Sequence, residues 1–408
     1  MVSITLTSVI LIIVSHEVTS ARILGLFPYT GKSHFQVSGA LMEGLARRGH
    51  QVVVLSHFPM KHPPPNYIDI SLQGIMNTKV ENLPIQDAVD EGIIRNMENI
   101  IKSGIEACET SLASTPVQNL IKSEEKFDLI VVEFFNTDCI LGFVHKFKTP
   151  FIAIQSSVII PWTNHRFGNP DNPSYMPSQF SSSSDKMDFH ERLLNTLYQE
   201  VLKLVYEAFV TKPSQTIVNK FFGESLPPLS ELANNASLMF LNTHFTITKP
   251  RPFVPAIVEV AGIHIGEPQE LPQDLKMFMD EATHGVIYFC LGSQVRIDTM
   301  PAEKLAAFMQ VFSEIPQRVV WKWEGDKLPG QPKNIMTVKW LPQYDVLCHP
   351  AMRVFVTHAG LLGTIEAVNC GVPMLTIPLF GDQKHNAECL VTAGESLMEA
   401  VLDVINDN

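Results

Sequence analysis

The sequence has little cysteine, little charge and no long basic segment. Its 408 residues include six cysteines, too few and too scattered for a disulfide scaffold. There is no Cys-x-x-Cys pair, which argues against a structural zinc site. The 30 lysines and arginines face 42 aspartates and glutamates, and this net charge of −12 argues against a nucleic-acid-binding protein. With 45% hydrophobic residues the chain is nevertheless globular, and its length fits two domains.

Two common nucleotide-binding motifs are missing as well. The segment Tyr29-Thr-Gly-Lys-Ser33 resembles the end of a phosphate-binding P-loop, but the first glycine of that motif would fall at position 26, which is Leu26. No Gly-x-Gly-x-x-Gly segment follows a predicted strand. The sequence therefore argues against a nucleotide kinase and against a nicotinamide-dependent dehydrogenase.

The first twenty residues are typical of a secretory signal peptide. The apolar stretch from Leu6 to Val14 is too short to span a membrane, and small residues precede a plausible cleavage site before Ala21. The alternative is a buried first strand. A glycosylation sequon, Asn235-Ala-Ser237, fits a lumenal route. We therefore expect a protein of the secretory pathway, in the lumen of the endoplasmic reticulum, with no transmembrane anchor in this chain.

Hydrophobic periodicity predicts alternating strands and helices in both halves of the chain. Residues 23–27, a helix that ends near Gly49, and residues 51–55 form a β-α-β unit, the start of a parallel sheet. Further strands are predicted at 127–132, 150–154, 286–291, 318–323, 335–339, 354–357 and 374–377. We therefore predict an α/β protein with two doubly wound, Rossmann-like domains that face a cleft. The predicted boundaries are 21–264 for the first domain, 265–276 for a proline-rich linker and 277–408 for the second domain.

Glycines and a histidine after one predicted strand indicate an anion site in the second domain. His358 follows the strand at 354–357, where its imidazole can donate to a phosphate oxygen. Gly360 and Thr364 lie at the start of the next helix, whose free N–H groups suit a diphosphate.

Three more polar residues are predicted at the same edge of the sheet. Glu366 can accept hydrogen bonds from ribose hydroxyls, and Asp382 and Gln383 offer acceptors and donors for sugar hydroxyls. Each residue alone could be structural, as a single histidine at a strand end usually is. Polar groups gathered at the carboxyl edge of a parallel sheet are more typical of a ligand site.

These motifs resemble the signature of family 1 UDP-glycosyltransferases, especially their insect members. The matching segments are Gly31-Lys-Ser-His34-Phe35, Phe289-Cys-Leu-Gly-Ser293, Trp340-Leu-Pro-Gln343 with Asp345 and His349-Pro350, Phe355-Val-Thr-His358-x-Gly360 with Glu366, Gly371-Val-Pro373, Pro378 and Asp382-Gln383. The resemblance covers nearly the whole chain after the predicted signal peptide. It implies a GT-B fold with an acceptor-binding first domain and a donor-binding second domain.

The resemblance also implies roles for residues of the second domain. Trp340 would stack on uracil and Gln343 would hydrogen-bond the uridine, although a core tryptophan and a helix cap are the plainer alternatives. Ser293 and His358 would bind the diphosphate, Glu366 the ribose, and Asp382 with Gln383 the transferred sugar. The donor would be a UDP-sugar, with no further cofactor and no metal.

In the first domain the resemblance implies that His34 is the general base. Imidazoles titrate near neutral pH, which suits deprotonation of an acceptor hydroxyl. The family orients this histidine with an aspartate, and the matching residue here is Glu133, with Asp138 as the alternative. Either carboxylate could instead lie in an ordinary loop. The implied reaction transfers a hexose, most simply glucose, to a small lipophilic acceptor with inversion.

The sequence departs from the family at a few positions. Ala359 replaces a glycine, Gly363 a serine and Cys290 a common serine. After Ser396 a stretch of the family pattern is missing from the sequence, and the chain ends soon afterwards, so an incomplete second domain is expected. The alternative hypothesis is therefore a non-catalytic relative that associates with full-length members as a homo- or hetero-oligomer.

Overall fold

A seven-stranded parallel sheet forms the first half of the chain in this computed structural model. The structure describes residues 20–406 except 91, 182 and 184, so the predicted signal peptide, apart from Ser20, lies outside the described residues. The strands of this half are β1 (Arg22–Phe27), β2 (Gln51–Ser56), β3 (Tyr67–Ser71), β4 (Leu83–Pro84), β5 (Leu129–Glu133), β6 (Phe151–Gln155), β7 (Met239–Leu241) and β8 (Ile257–Glu259). Their order in the sheet is β3-β2-β1-β5-β6-β7-β8, and β4 lies outside it.

Helices connect these strands and cover the sheet. They are α1 (Lys32–Arg47), α2 (Ile85–Val89), α3 (Ile93–Ala113), α4 (Thr115–Lys122), α5 (Leu141–Phe147), α6 (Phe189–Tyr206), α7 (Lys212–Phe222), α8 (Leu229–Ala233) and α9 (Phe245–Thr248). A π-helical turn, Glu207–Thr211, joins α6 to α7, and a short 3₁₀ helix spans Asn164–Phe167.

A second parallel sheet forms beyond the predicted linker. Its half of the chain contains β9 (Val286–Cys290), β10 (Val295–Arg296), β11 (Arg318–Lys322), β12 (Ile335–Val338), β13 (Met352–Thr357) and β14 (Met374–Thr376), with α10 (Gln273–Asp280), α11 (Ala302–Glu314), α12 (Gln343–Leu347), α13 (Leu361–Asn369) and α14 (Gln383–Asn406). The sheet order is β12-β11-β9-β13-β14. Two parallel sheets with helical connections confirm the predicted α/β architecture of two Rossmann-like units.

Two details differ from the sequence-based predictions. Strand β3 is not among the predicted strands, and it pairs with β2 through all five of its residues. Helix α10 begins inside the predicted linker, because Leu275 and Met279 are buried in the core of the second half.

A segment of the first half crosses to the second half. We call residues 79–90 the interdomain strap. Within it, β4 pairs with β10, the amide of Glu81 donates to the carbonyl of Ser293 at 2.8 Å, and that of Ile85 donates to Thr299 Oγ1 at 2.9 Å. Ile85 and Ala88 pack in the same buried cluster as Trp321. The strap therefore belongs to the first half in sequence and to the second half in packing.

Helix α6 buries two amides on its inner face, together with Leu202 and Tyr206. Asn195 and Gln199 are buried, and their amides donate to the carbonyl of Met176 at 2.9 and 2.8 Å. Leucines on the opposite face are exposed, among them Leu194 at 65% and Leu204 at 70%. The buried amides thus satisfy backbone carbonyls of the preceding loop.

Four of the six cysteines form two disulfides. Cys108 pairs with Cys139, and Cys348 with Cys370, with Cα–Cα distances of 5.7 and 4.8 Å. Cys290 and Cys389 are buried thiols. Across the described part of the chain, no helix has both the length and the apolar character that a bilayer crossing requires.

Candidate active site

The carboxyl ends of the two sheets face each other across a cleft of about 720 Å³. Residues from both halves line it. His34 and Ser156 come from the first sheet's side, and Ser293, His358 and Asp382 come from the second. A cleft at the carboxyl edge of parallel strands is the usual place for a ligand in such folds.

His34 lies in the first turn of α1, where it meets Glu133 at the end of β5. His34 Nδ1 is 2.7 Å from Glu133 Oε1, and Ser156 Oγ is 2.7 Å from the same nitrogen and 3.0 Å from the same oxygen. Glu133 is only 5% exposed, so the carboxylate is held away from bulk water. A carboxylate at Nδ1 favours the tautomer with a proton there, which leaves the Nε2 lone pair free to accept one.

The other predicted carboxylate, Asp138, has a different partner. Its two oxygens accept hydrogen bonds from the Arg166 guanidinium at 2.9 and 2.8 Å, and both side chains are buried. Arg166 also stacks on the rings of Phe134 and Tyr206. Asp138 is therefore committed to a buried ion pair, and of the two predicted carboxylates Glu133 is the one that reaches His34.

His358 lies directly after β13, between two glycines. A methyl group on Gly292 would lie 2.5 Å from His358 Nε2, and one on Gly360 would lie 2.6 Å from it, so the ring fits only because both residues lack a side chain. Burial, with the nearby Lys322 ammonium, lowers the pKa of His358 to about 4. The imidazole is therefore neutral at pH 7, and it can offer a phosphate a hydrogen bond rather than a charge.

Helix α13 begins just after His358 and directs its N-terminus at the cleft. Gly360 is its N-cap, and the first N–H groups of a helix lack acceptors within the helix. Ala359, where the family has glycine, adopts a left-handed conformation with φ of 63°. Thr364 was predicted to face the phosphate, but it is fully buried and is not among the cleft-lining residues. Its hydroxyl has no hydrogen-bond partner among the described residues.

Glu366 is a buried carboxylate with two partners at the cleft wall. The Gln343 amide donates to Glu366 Oε2 at 2.6 Å, and His264 Nε2 lies 3.5 Å from Oε1. Tyr288 in turn donates its hydroxyl to the Gln343 amide oxygen at 3.2 Å. The chain Tyr288–Gln343–Glu366 therefore fixes Gln343 and Glu366, two of the three residues that were predicted to contact the nucleoside.

Trp340 and Ser293 lie on the cleft wall that the second half forms, and Lys32 and Lys322 line the same cleft. Trp340 follows β12 and is 45% exposed, with Lys32 Nζ 3.6 Å from the centroid of its ring. Lys322 is buried and pairs with Glu324 at 2.6 Å. Burial alone would lower the pKa of Lys322, but its carboxylate neighbours hold it above the ordinary value.

Asp382 lies in the loop after β14, and Gln383 is the first residue of α14. Burial raises the pKa of Asp382, an effect opposed by the Asn386 amide and by the electrostatic influence of His34 across the cleft. The Gln383 side-chain oxygen accepts from the amides of Leu379 and Phe380 at 2.8 and 3.1 Å. Gln383 therefore has only its amide N–H groups left to offer a sugar.

Sequence reasoning missed several residues of this site. Ser156, Lys32, Lys322, His264 and Tyr288 line the cleft beside the predicted residues. Ser156 lies two residues after the predicted strand at 150–154 and could have been found by position. Lys322 and Tyr288 lie inside predicted strands, where nothing in the sequence marks them as site residues. The described residues contain no group of three or more histidines, cysteines, aspartates or glutamates that could hold a metal ion.

The chain is similar to known proteins in sequence and in fold. The family model described as "UDP-glucoronosyl and UDP-glucosyl transferase" matches residues 10–405. Two relatives from Dactylopius coccus are UDP-glycosyltransferase UGT5, 42% identical over 99% of this chain and 79% of its own length, and UDP-glucosyltransferase 2, 39% identical over 95% and 75%. The crystal structure of Arabidopsis thaliana UGT89C1 complexed with UDP-L-rhamnose shares the fold, with a TM-score of 0.56, 17% identity, and coverage of 91% of this chain and 83% of that one.

Proposed function

The chain belongs to the UDP-glucoronosyl and UDP-glucosyl transferase family, and we propose that it moves a hexose, in the first instance glucose, from UDP to a hydroxyl group of a small lipophilic acceptor. Its fold is GT-B, and its activity is that of a UDP-glycosyltransferase. The name of the relative UDP-glucosyltransferase 2 supports glucose as the sugar. The UDP-sugar is a substrate in this proposal, and no resident cofactor is invoked.

The observation that carries the proposal is the hydrogen-bonded group of His34, Glu133 and Ser156 at the cleft. His34 Nε2 would remove the proton of the acceptor hydroxyl as its oxygen forms a bond to the anomeric carbon. The bond from that carbon to the diphosphate oxygen breaks, and UDP leaves with the electron pair, so the anomeric configuration inverts. Glu133 would stabilise the imidazolium that forms.

The opposite wall supports the donor side of the reaction. Neutral His358, Ser293 and the N-terminus of α13 would hold the diphosphate and stabilise the charge that develops on it. Trp340 would stack on uracil, Gln343 and Glu366 would hold the nucleoside, and Asp382 with Gln383 would hold the sugar.

Aromatic rings around His34 support a lipophilic acceptor. The rings of Tyr29 and Phe135 lie 4.6 and 4.5 Å from the imidazole, centroid to centroid, and 4.9 Å from each other. Phe180 and Ile100 also line this side of the cleft. An acceptor with an apolar ring system would bury its surface here beside the base.

The proposal is tested by turnover of the purified chain with UDP-glucose and a panel of phenols and steroids. We expect glucoside formation with a β configuration by NMR, because the donor is an α-glucoside, and loss of turnover in His34→Ala. His62→Ala, which changes a histidine outside the cleft-lining set, is the matched control. Glucose transfer that survives in His34→Ala, or a product that retains the α configuration, would contradict the mechanism. A chain that binds UDP but moves no sugar to any acceptor would contradict the function.

We also propose that the protein works in the lumen of the endoplasmic reticulum. Two disulfides suit an oxidising compartment, and Asn235 of the predicted sequon is exposed. Expression of the full chain in eukaryotic cells should give a product whose mass falls on endoglycosidase treatment. The variant Asn235→Gln should lack that shift, and an unmodified wild-type protein in the cytosol would contradict the proposal.

A further inference from the structure

Lys32 reaches across the cleft and covers the ring on which uracil is proposed to stack. It is the first residue of α1 in the first half, whereas Trp340 belongs to the second half. The ammonium nitrogen lies 3.6 Å from the centroid of the indole, which is 45% exposed. An ammonium over an aromatic face is attracted by the ring quadrupole, but the contact is weak where water competes.

The surroundings of Lys32 both favour and oppose a positive charge at this position. Partial burial, with the positive charges of Lys61 and Lys322, lowers the pKa of Lys32, while Glu81 opposes the change. The Glu81 carboxylate, however, pairs with Lys322 Nζ at 3.2 Å. Lys322 also pairs with Glu324 and is only 4% exposed, so its ammonium is held in place. The Lys32 ammonium lies on the face of Trp340, and its flexible four-carbon side chain allows it to move.

We propose that Lys32 leaves Trp340 when a UDP-sugar binds and moves to the diphosphate. This inference rests on the proposed function, because it takes the indole as the uracil platform. An ammonium and a uracil ring cannot occupy the same face of the indole. Lys32 shares the cleft with Ser293 and His358, and a charge-assisted bond to a phosphate oxygen is stronger than a cation–π contact at a partly exposed ring.

A bond from Lys32 to the diphosphate would also couple donor binding to the first domain. Lys32 and His34 lie in the same turn of α1, so a bond from Lys32 to the diphosphate would draw the helix that carries the base towards the donor. Lys32 is in this sense a specificity residue, since it opposes a nucleoside without phosphates and favours a nucleoside diphosphate.

The test compares uridine with UDP by calorimetric titration of the full chain. The variant Lys32→Met keeps the length of the side chain but removes its charge. We expect UDP affinity to fall about tenfold, because one charge-assisted bond is lost. We expect uridine affinity not to fall, because uridine has no phosphate for Lys32 to bind and an ammonium no longer lies on the ring face. The quantity to report is the ratio of the two affinities, which a general disturbance of the fold would not change.

Two control variants make the result decisive. Lys61→Met removes a neighbouring positive charge that is exposed and outside the cleft-lining set, and it should leave the ratio unchanged. Lys32→Arg keeps a cation that can lie on the ring and bind a phosphate, and it should retain UDP affinity.

Parallel losses of uridine and UDP affinity in Lys32→Met would show that Lys32 only supports Trp340, and would overturn the inference. Unchanged affinities would overturn it too. A wild-type chain that binds UDP but shows either pattern in the variant would leave the proposed function standing, whereas a wild-type chain that binds no UDP would overturn both.

Discussion

The imidazole of His358 lies so close to the α-carbon of Gly292 that a methyl group there would be 2.5 Å from Nε2. Gly292 also has a φ of 87°, a backbone conformation that residues other than glycine rarely adopt. The position of the proposed phosphate-binding histidine therefore depends on a neighbouring residue that has no side chain.

Gly292→Ala should therefore weaken UDP binding through His358. The ring has to move, and the loss of a hydrogen bond to a charged phosphate costs about 1.5–3 kcal/mol, or roughly 10- to 100-fold in affinity by calorimetry. Gly330→Ala is the matched control, because it has a φ of 68° but open space around it. It should lose stability of a similar size while UDP affinity stays the same, and equal effects on affinity would contradict the role of the contact.

Ala359→Gly should stabilise the protein by about 0.5–1 kcal/mol. Ala359 is held in a left-handed conformation that costs an alanine about 1 kcal/mol, and glycine adopts it freely, although its flexible unfolded state offsets part of the gain. Urea unfolding measures the difference. Ala367→Gly in helix α13 makes the same chemical change at ordinary helical backbone and should destabilise by about 1 kcal/mol. A loss of stability in both variants would refute the explanation.

Glu133→Gln should lower kcat by about 10²- to 10⁴-fold, because the amide no longer stabilises an imidazolium at His34. UDP affinity should not change, since Glu133 lies in the half of the protein opposite the donor wall. Steady-state kinetics and UDP titration together check both statements. Glu125→Gln, which alters a carboxylate in a surface ion pair with Arg22, should behave as wild type.

Stability should fall as the pH is lowered from 7 to 5. Burial, with the nearby Arg251 guanidinium, lowers the pKa of His385 to about 3, and the side chain is 1% exposed. In the unfolded chain a histidine takes up a proton near pH 6.5, so below that pH the unfolded state binds more protons and gains stability. The slope approaches about 1.4 kcal/mol per pH unit for each such histidine.

Urea unfolding at several pH values measures this slope in wild type and in His385→Leu. We expect a shallower slope in the variant, because one of the histidines that stay neutral in the fold is gone. His358, with a pKa of about 4, should maintain the remainder. An identical slope in both proteins would show that His385 is protonated in the folded state.

Replacement of Cys108 and Cys139 by serine should cost about 2–4 kcal/mol of stability, because their disulfide closes a loop across 31 residues of sequence separation. The disulfide also ties α3 to the loop that carries Asp138. Unfolding with and without dithiothreitol measures the effect. Reduction should destabilise the wild type more than the double variant, in which only the Cys348–Cys370 disulfide remains to be reduced.

The sequence was informative about local order. The strands and the helix of the first β-α-β unit are predicted from the sequence and appear as β1, α1 and β2, because the two strands are nearly continuous buried apolar runs and the helix buries apolar residues at helical spacing. The positions of His34, His358 and Asp382 after strands followed from the same reading, since the carboxyl ends of parallel strands share an edge.

The sequence was silent where a residue's partner is far away along the chain. Arg166 gives no local sign that it will bind Asp138, and Ser156 gives none that it will meet His34 and Glu133. In α6 the spacing of the leucines predicts a helix but not which face is buried. The buried face carries Leu202 and Tyr206 together with Asn195 and Gln199, whose amides satisfy carbonyls of the preceding loop.

The interdomain strap has a consequence for how the protein reaches its fold. The bond from Ile85 to Thr299 joins residues 214 positions apart, and Ile85 with Ala88 completes a buried cluster built mainly from the second half. Such distant contacts form late, because the entropy cost of closing a long loop must be met before the contacts can stabilise the chain. During synthesis the strap of the first half must wait for its partner strand, and a second half produced alone would leave a gap where Ile85 packs. The strap therefore couples the stability of the two halves.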